Sequence, residues 1–118
     1  FPYGAAYQAN RCNGADFPRQ ANQTTVPAGS AAMCISDLTA GTTDDLLDMS
    51  GNVKEWVVSG ATNNDPAAQT YELRGGAYNT ASFNGDAPGL KCDSSVPAPS
   101  VPVRLPSVGF RCCKPGML

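Results

Sequence analysis

The 118-residue chain contains no histidine. That absence removes the Ser-His-Asp and Cys-His nucleophilic mechanisms, imidazole-held iron, copper and zinc, and the usual general base near neutral pH. Catalysis in this chain would have to run on carboxylate, thiol, tyrosine or lysine, and a protein-held metal would sit on oxygen or sulfur. Charge is also scarce. Only 15% of the residues are charged, against about 25% in an average soluble domain. Eight basic and ten acidic side chains give a net charge of −2. A chain so poor in cations offers no nucleic-acid footprint. No apolar run approaches the roughly 18 residues that would span a bilayer. There is no P-loop and no G-x-G-x-x-G after a strand, which excludes nucleotide binding of those kinds. Internal repeats and domain linkers are absent too.

What is present is a single domain with a modest core, since 42% of the residues are hydrophobic. Glycine and proline together make up 22 of the 118 positions, so much of the chain must lie in turns and irregular loops. Five cysteines, Cys12, Cys34, Cys92, Cys112 and Cys113, with no C-x-x-C pair, read as a disulfide framework in an oxidising compartment. The odd number leaves one thiol free or bonded outside this chain. Adjacent Cys112 and Cys113 are poor partners for each other. The chain opens at Phe1 without an initiator methionine or signal peptide, which reads as a processed product or a fragment.

Along the chain, Phe1 to Ala32 is turn-rich, with Asn13-Gly14 as a turn dipeptide. Asn22-Gln23-Thr24 has the pattern of a glycosylation acceptor, meaningful in a eukaryotic secreted protein. Between Asp37 and Ser50, Leu38, Leu46, Leu47 and Met49 can line one side of a helical turn. Asp44 and Asp45 suit the start of that turn. The β-branched and aromatic residues predict strands at Val53 to Val58, Tyr71 to Arg74 and Val108 to Cys113. Residues 79–107 carry prolines at 88, 97, 99, 102 and 106, so little ladder formation is expected there.

Three segments, taken together, carry a resemblance. They are Asp48-Met49-Ser50-Gly51-Asn52-Val53-Lys54-Glu55-Trp56, Arg74-Gly75-Gly76-Ala77-Tyr78 and Gly109-Phe110-Arg111. Their order and spacing resemble the formylglycine-generating enzyme family, or sulfatase-modifying factors, with its D-M-x-G-N-V-x-E-W, R-G-G-[SA]-[WY] and G-F-R motifs. Phe1-Pro2-Tyr3-Gly4 is similar to the family's F/Y-P-W-G, and Cys12-Asn13-Gly14 to the C-N-G of cysteine-rich bacterial members. The resemblance implies an α+β fold, irregular, loop-rich and C-type-lectin-like, with few short strands, stabilised by disulfides and calcium. It implies that residues 1–118 are the C-terminal part of one such domain, whose N-terminal helical half is missing from this sequence.

The same resemblance implies a set of sites. A calcium ion would take the side chains of Asp48 and Glu55 and the carbonyls of Gly51 and Val53. Ca²⁺ favours such mixed carboxylate and carbonyl oxygens. The plainer reading is that Asp48 caps a turn and Glu55 pairs with an arginine. A second calcium site would use Asn13 and Gly14. The Cys12–Cys34 pair matches an extra disulfide of bacterial members. Cys92, Cys112 and Cys113 would bond each other or upstream cysteines. Trp56, Tyr78 and Phe110 read most simply as core aromatics, and Arg74 and Arg111 as partners of carboxylates or carbonyls.

The family's catalytic cysteine pair falls at Thr80 and Gly85, where this chain has no sulfur. Thiolates are the ligands that soft copper requires, so no catalytic residues are expected. The expected function is a non-catalytic, calcium-binding module of an exported protein, extracellular, periplasmic or on the cell surface. Its partners would be the remainder of its own domain or a companion chain, and a protein or small polar ligand on loops 59–70 and 79–107. Nucleic acid and a membrane span are not expected. The alternative is a formylglycine-generating oxidase acting on a cysteine of a client sulfatase.

Overall fold

The computed structural model describes residues 1–17, 23–36, 46–59, 70–97 and 104–112. Asp44, Asp45, the acceptor Asn22 and Cys113 lie outside them, as do most of loop 59–70 and residues 98–103. The described residues form six short strands in two sheets, and their only helical element is a 3₁₀ turn at Pro88–Leu90.

The strands are β1 (Ile35–Ser36), β2 (Leu46–Leu47), β3 (Lys54–Ser59), β4 (Thr70–Arg74), β5 (Ser95–Pro97) and β6 (Val108–Gly109). β1 and β2 form an antiparallel pair, and the other four form a sheet of order β5-β4-β3-β6. β3 and β4 fall where Val53 to Val58 and Tyr71 to Arg74 were expected, each displaced by a residue at one or both ends. β6 is shorter than expected and pairs parallel to β3 through Lys54 and Glu55.

Two expectations are corrected. Leu46 and Leu47 pair as a strand with Ile35 and Ser36 rather than joining a helical turn, and both are exposed. Residues 79–107, despite their prolines, contribute β5 and the bridge between Phe83 and Asp86. β5 ends at Pro97 on a sheet edge, where a missing N–H costs no ladder bond.

The core is small and made of small side chains. One part gathers Cys12, Ala31 and Cys34 with Tyr3 and Phe17 packed against them. Leu73, Ala77, Ala87 and Leu90 are also buried. The Cys12–Cys34 disulfide is present and closes a separation of 22 residues. Phe110 is 76% exposed, so it is not a core aromatic.

Candidate functional site

The bend from Asp48 to Val53 joins β2 to β3, and several distant segments converge on it. Asp48, Gly51 and Asn52 all take positive φ, at 55°, 76° and 62°. At Gly51 a side chain is impossible without movement: a Cβ would stand 2.5 Å from the carbonyl oxygen of Asn13. The Gly51 N–H donates to the Gly75 carbonyl at 2.7 Å, and the Asn52 N–H to the Asn13 carbonyl at 2.8 Å. The Asn52 carbonyl accepts from the Tyr78 N–H at 3.1 Å, and the Ser50 hydroxyl donates to the Leu90 carbonyl at 2.6 Å. These bonds bring the C-N-G, D-M-x-G-N-V and R-G-G segments into one cluster.

Asn52 is a residue whose role the sequence reading missed. Its Oδ1 accepts from Asn13 Nδ2 at 3.1 Å and from the Val26 N–H at 2.9 Å, while its Nδ2 donates to the Val26 carbonyl at 3.1 Å. Side chain and backbone are both engaged. The signal available beforehand was an asparagine after glycine in a bend, which marks a left-handed position but not its long-range partners.

The predicted ligands are then located as follows. Asp48 is 8% exposed and its Oδ2 accepts the Gly29 N–H at 2.6 Å. Asp48, Val53 and Glu55 line one cavity of about 450 Å³, together with Gly29, Leu47 and Arg111. Gly51 is buried in the bend beside it. Glu55 is engaged by Arg111, whose Nε and Nη2 reach its two oxygens at 2.6 and 2.5 Å. The arginine also donates to the carbonyls of Leu47 and Asp48, each at 3.2 Å. The plain reading of Glu55 as an arginine partner is therefore realised. Arg74, the other arginine expected to pair, meets Glu72 at 2.9 Å.

A guanidinium is held in this cavity by a carboxylate and two carbonyls, those of Leu47 and Asp48. Among the described residues no three Cys, Asp or Glu side chains meet to hold a metal. A Ca²⁺ ion, which takes 6–8 oxygens, would therefore need carbonyl and water oxygens beside Asp48 and Glu55.

Asn13 is 1% exposed. Its Nδ2 donates to the Thr24 carbonyl and to Asn52, while its Oδ1 accepts no hydrogen bond among the described residues. Gly14 is buried next to it, and its N–H donates to the Cys12 carbonyl at 2.7 Å.

Thr80 and Gly85, where the resemblance would put a cysteine pair, serve turns. The Thr80 Oγ1 accepts the Ala77 N–H at 2.8 Å, and the Thr80 carbonyl accepts from Ala15 at 3.0 Å. Gly85 follows Asn84 at the tip of a two-residue hairpin, with φ of 76° and 50° respectively. Phe83 and Asp86 close that hairpin through both of their backbone bonds, at 2.7 and 3.0 Å. Positive φ at both tip residues is the type I′ requirement that Asn-Gly meets.

Cys92 and Cys112 are exposed free thiols. Cys92 borders a small cavity of about 110 Å³ with Met49, Glu55, Val57, Arg74 and Gly75.

Residues 1–115 match the family profile of the sulfatase-modifying factor enzyme 1-like domain. The chain belongs to that family. No curated protein and no solved structure matches it. The C-N-G, D-M-x-G-N-V and R-G-G motifs thus meet at the convergent bend around Gly51. No helix among the described residues is long and apolar enough to cross a membrane.

Proposed function

We propose that this chain is a non-catalytic, calcium-binding module of an exported protein, with a binding or structural role. The carrying observation is that Thr80 and Gly85, where the family's cysteine pair would stand, are turn residues without sulfur. Oxygen and amide groups there suit hydrogen bonds, and they cannot replace thiolates on copper. The reading includes the irregular C-type-lectin-like fold and the position of this chain as the C-terminal part of a larger domain. The remainder of that domain, or a companion chain, is its proposed partner, and loops 59–70 and 79–107 are its proposed surface for a protein or small polar ligand.

Calcium in this reading is held by Asp48 and Glu55 with the carbonyls of Gly51 and Val53. The cavity shared by Asp48, Val53 and Glu55 supports that assignment. A second ion at Asn13 and Gly14 is supported by the buried Oδ1 of Asn13, which has no hydrogen-bond partner among the described residues. The ion supplies positive charge that ties the bend to β3. Export is supported by the Cys12–Cys34 disulfide, a bond that persists in oxidising compartments.

The test has two parts. Thermal unfolding is followed with calcium and with a chelator. A lower melting temperature in chelator, with Glu55→Gln reproducing most of that loss, is expected; identical melting in both rejects the metal. Separately, the protein is incubated with copper, oxygen and a cysteine-containing sulfatase peptide. No cysteine-to-aldehyde mass change is expected, and its detection would restore the alternative, a formylglycine-generating oxidase.

A further inference from the structure

The chain holds two Asn-Gly dipeptides, Asn13-Gly14 and Asn84-Gly85, and the fold treats them in opposite ways. Asparagine before glycine is chemically labile, because the glycine nitrogen can attack the side-chain amide carbon with no Cβ in its way. The reaction needs a glycine N–H open to base and an asparagine side chain free to swing onto it. Asn13 is denied both. It is 1% exposed, and its Nδ2 donates to the Thr24 carbonyl and to Asn52 Oδ1. The Gly14 N–H is taken by the Cys12 carbonyl at 2.7 Å. The space around Gly14 is filled as well: a Cβ there would stand 2.9 Å from a Leu90 methyl and 3.3 Å from the Thr80 carbonyl oxygen.

Asn84 and Gly85, by contrast, are both exposed. A Cβ added at Gly85 would meet no atom within 4 Å. The two backbone bonds of the hairpin run between Phe83 and Asp86, so neither of them uses the Gly85 N–H. We propose that Asn84 is a modification site, at which the chain converts its own asparagine to isoaspartate and aspartate without an enzyme. Base removes the Gly85 amide proton, and the nitrogen attacks Asn84 Cγ. The new N–Cγ bond closes a five-membered succinimide while the Cγ–Nδ2 bond breaks, and the leaving nitrogen takes a proton from water to depart as ammonia. Water then opens the ring. Cleavage at Cγ gives aspartate, and cleavage at the main-chain carbonyl carbon of Asn84 gives isoaspartate. The sum is amide plus water to carboxylate plus ammonium, with no oxidation or reduction.

Isoaspartate routes the chain through Cγ and adds a methylene to the backbone of a two-residue turn. The paired bonds of Phe83 and Asp86, at 2.7 and 3.0 Å, cannot both survive that added length. The new carboxylate also arises two residues from Asp86, whose Oδ2 is held by Lys91 at 2.7 Å, and like charge there competes for that lysine. Conversion therefore opens the hairpin and reshapes the 79–107 surface as the protein ages. None of this depends on a metal.

The experiment incubates the wild-type chain in mildly alkaline buffer, folded in one arm and reduced and denatured in the other. Peptide mapping by mass spectrometry follows amide-to-acid conversion, with isoaspartate told from aspartate by electron-transfer fragmentation. In the folded protein Asn84 is expected to convert about tenfold or more faster than Asn13, whose reaction must wait for local opening. In the denatured chain the two should convert at similar rates. Amide exchange at Phe83 and Asp86 should quicken in the isoaspartate fraction. Freshly prepared Asn84→Asp, which carries the carboxylate without the added methylene, should keep their protection. Conversion at Asn84 no faster than at Asn13 in the folded protein overturns the assignment. So does an Asn84 that stays intact in the folded arm while the denatured chain converts. Unchanged protection in the isoaspartate fraction overturns the opening of the hairpin.

Discussion

Asn52 ties three segments together through its side chain. Its amide joins Asn13 to both polar groups of the Val26 backbone. Asn52→Ala leaves the N–H and carbonyl of Val26 without this partner and Asn13 with one bond fewer, so a loss of about 2–3 kcal/mol is expected, read as a lower denaturant midpoint with an unchanged slope. Tyr7 is a second residue with a clear physical signature. Burial first, and then its hydrogen bond to the Asp16 carboxylate, raise its hydroxyl well above the ordinary tyrosine range. Because the folded state holds that proton more tightly than the unfolded chain, the contribution is intact below about pH 10 and is lost as pH rises further. Stability should therefore decline above that point in the wild type and decline less in Tyr7→Phe, as melting at a series of alkaline pH values would show.

Among the elements, β3 and β4 were legible because Val, Trp and Tyr concentrate there between turn residues. The pairing of Glu55 with Arg74, and of Glu55 with Gly109 on the other side, was not legible, since register across a sheet depends on partners far away in sequence. β1 and β2 are two residues each, too short to leave a periodic pattern, and Leu46-Leu47 suits a helix as readily as a strand. Asp48 and Glu55 were singled out from their motif, whereas the engagement of Glu55 with Arg111 needed the fold: the sequence suggested an arginine partner without saying which one. The hairpin at Asn84-Gly85 is the element most open to a local test. Gly85→Val places a β-branched residue at a φ of 76°, and a cost of about 1–2 kcal/mol is expected. Amide exchange should quicken at Phe83 and Asp86, the two residues that bond across the turn, while the Asp48–Val53 bend remains protected.

At the scale of the molecule, the buried hydrophobic side chains among the described residues are two cysteines, three alanines and two leucines, and cross-linking adds to what their packing supplies. A disulfide closing 22 residues stabilises by about 3 kcal/mol in the chain-entropy model. Replacing Cys12 and Cys34 together by alanine should lower stability by about that amount, and reductant should have little effect on the double variant's melting. The convergence of segments on the Asp48–Val53 bend also sets a timetable. Its partners include Asn13, Val26 and Cys34 before it and Gly75, Tyr78, Leu90 and Arg111 after it. On a ribosome the first group emerges before the bend and the second group after it. The bend therefore waits, half-satisfied, until the second group has emerged, and contacts this distant in sequence form slowly even in a finished chain. Translation halted before Arg111 would leave a nascent chain with its central junction still open.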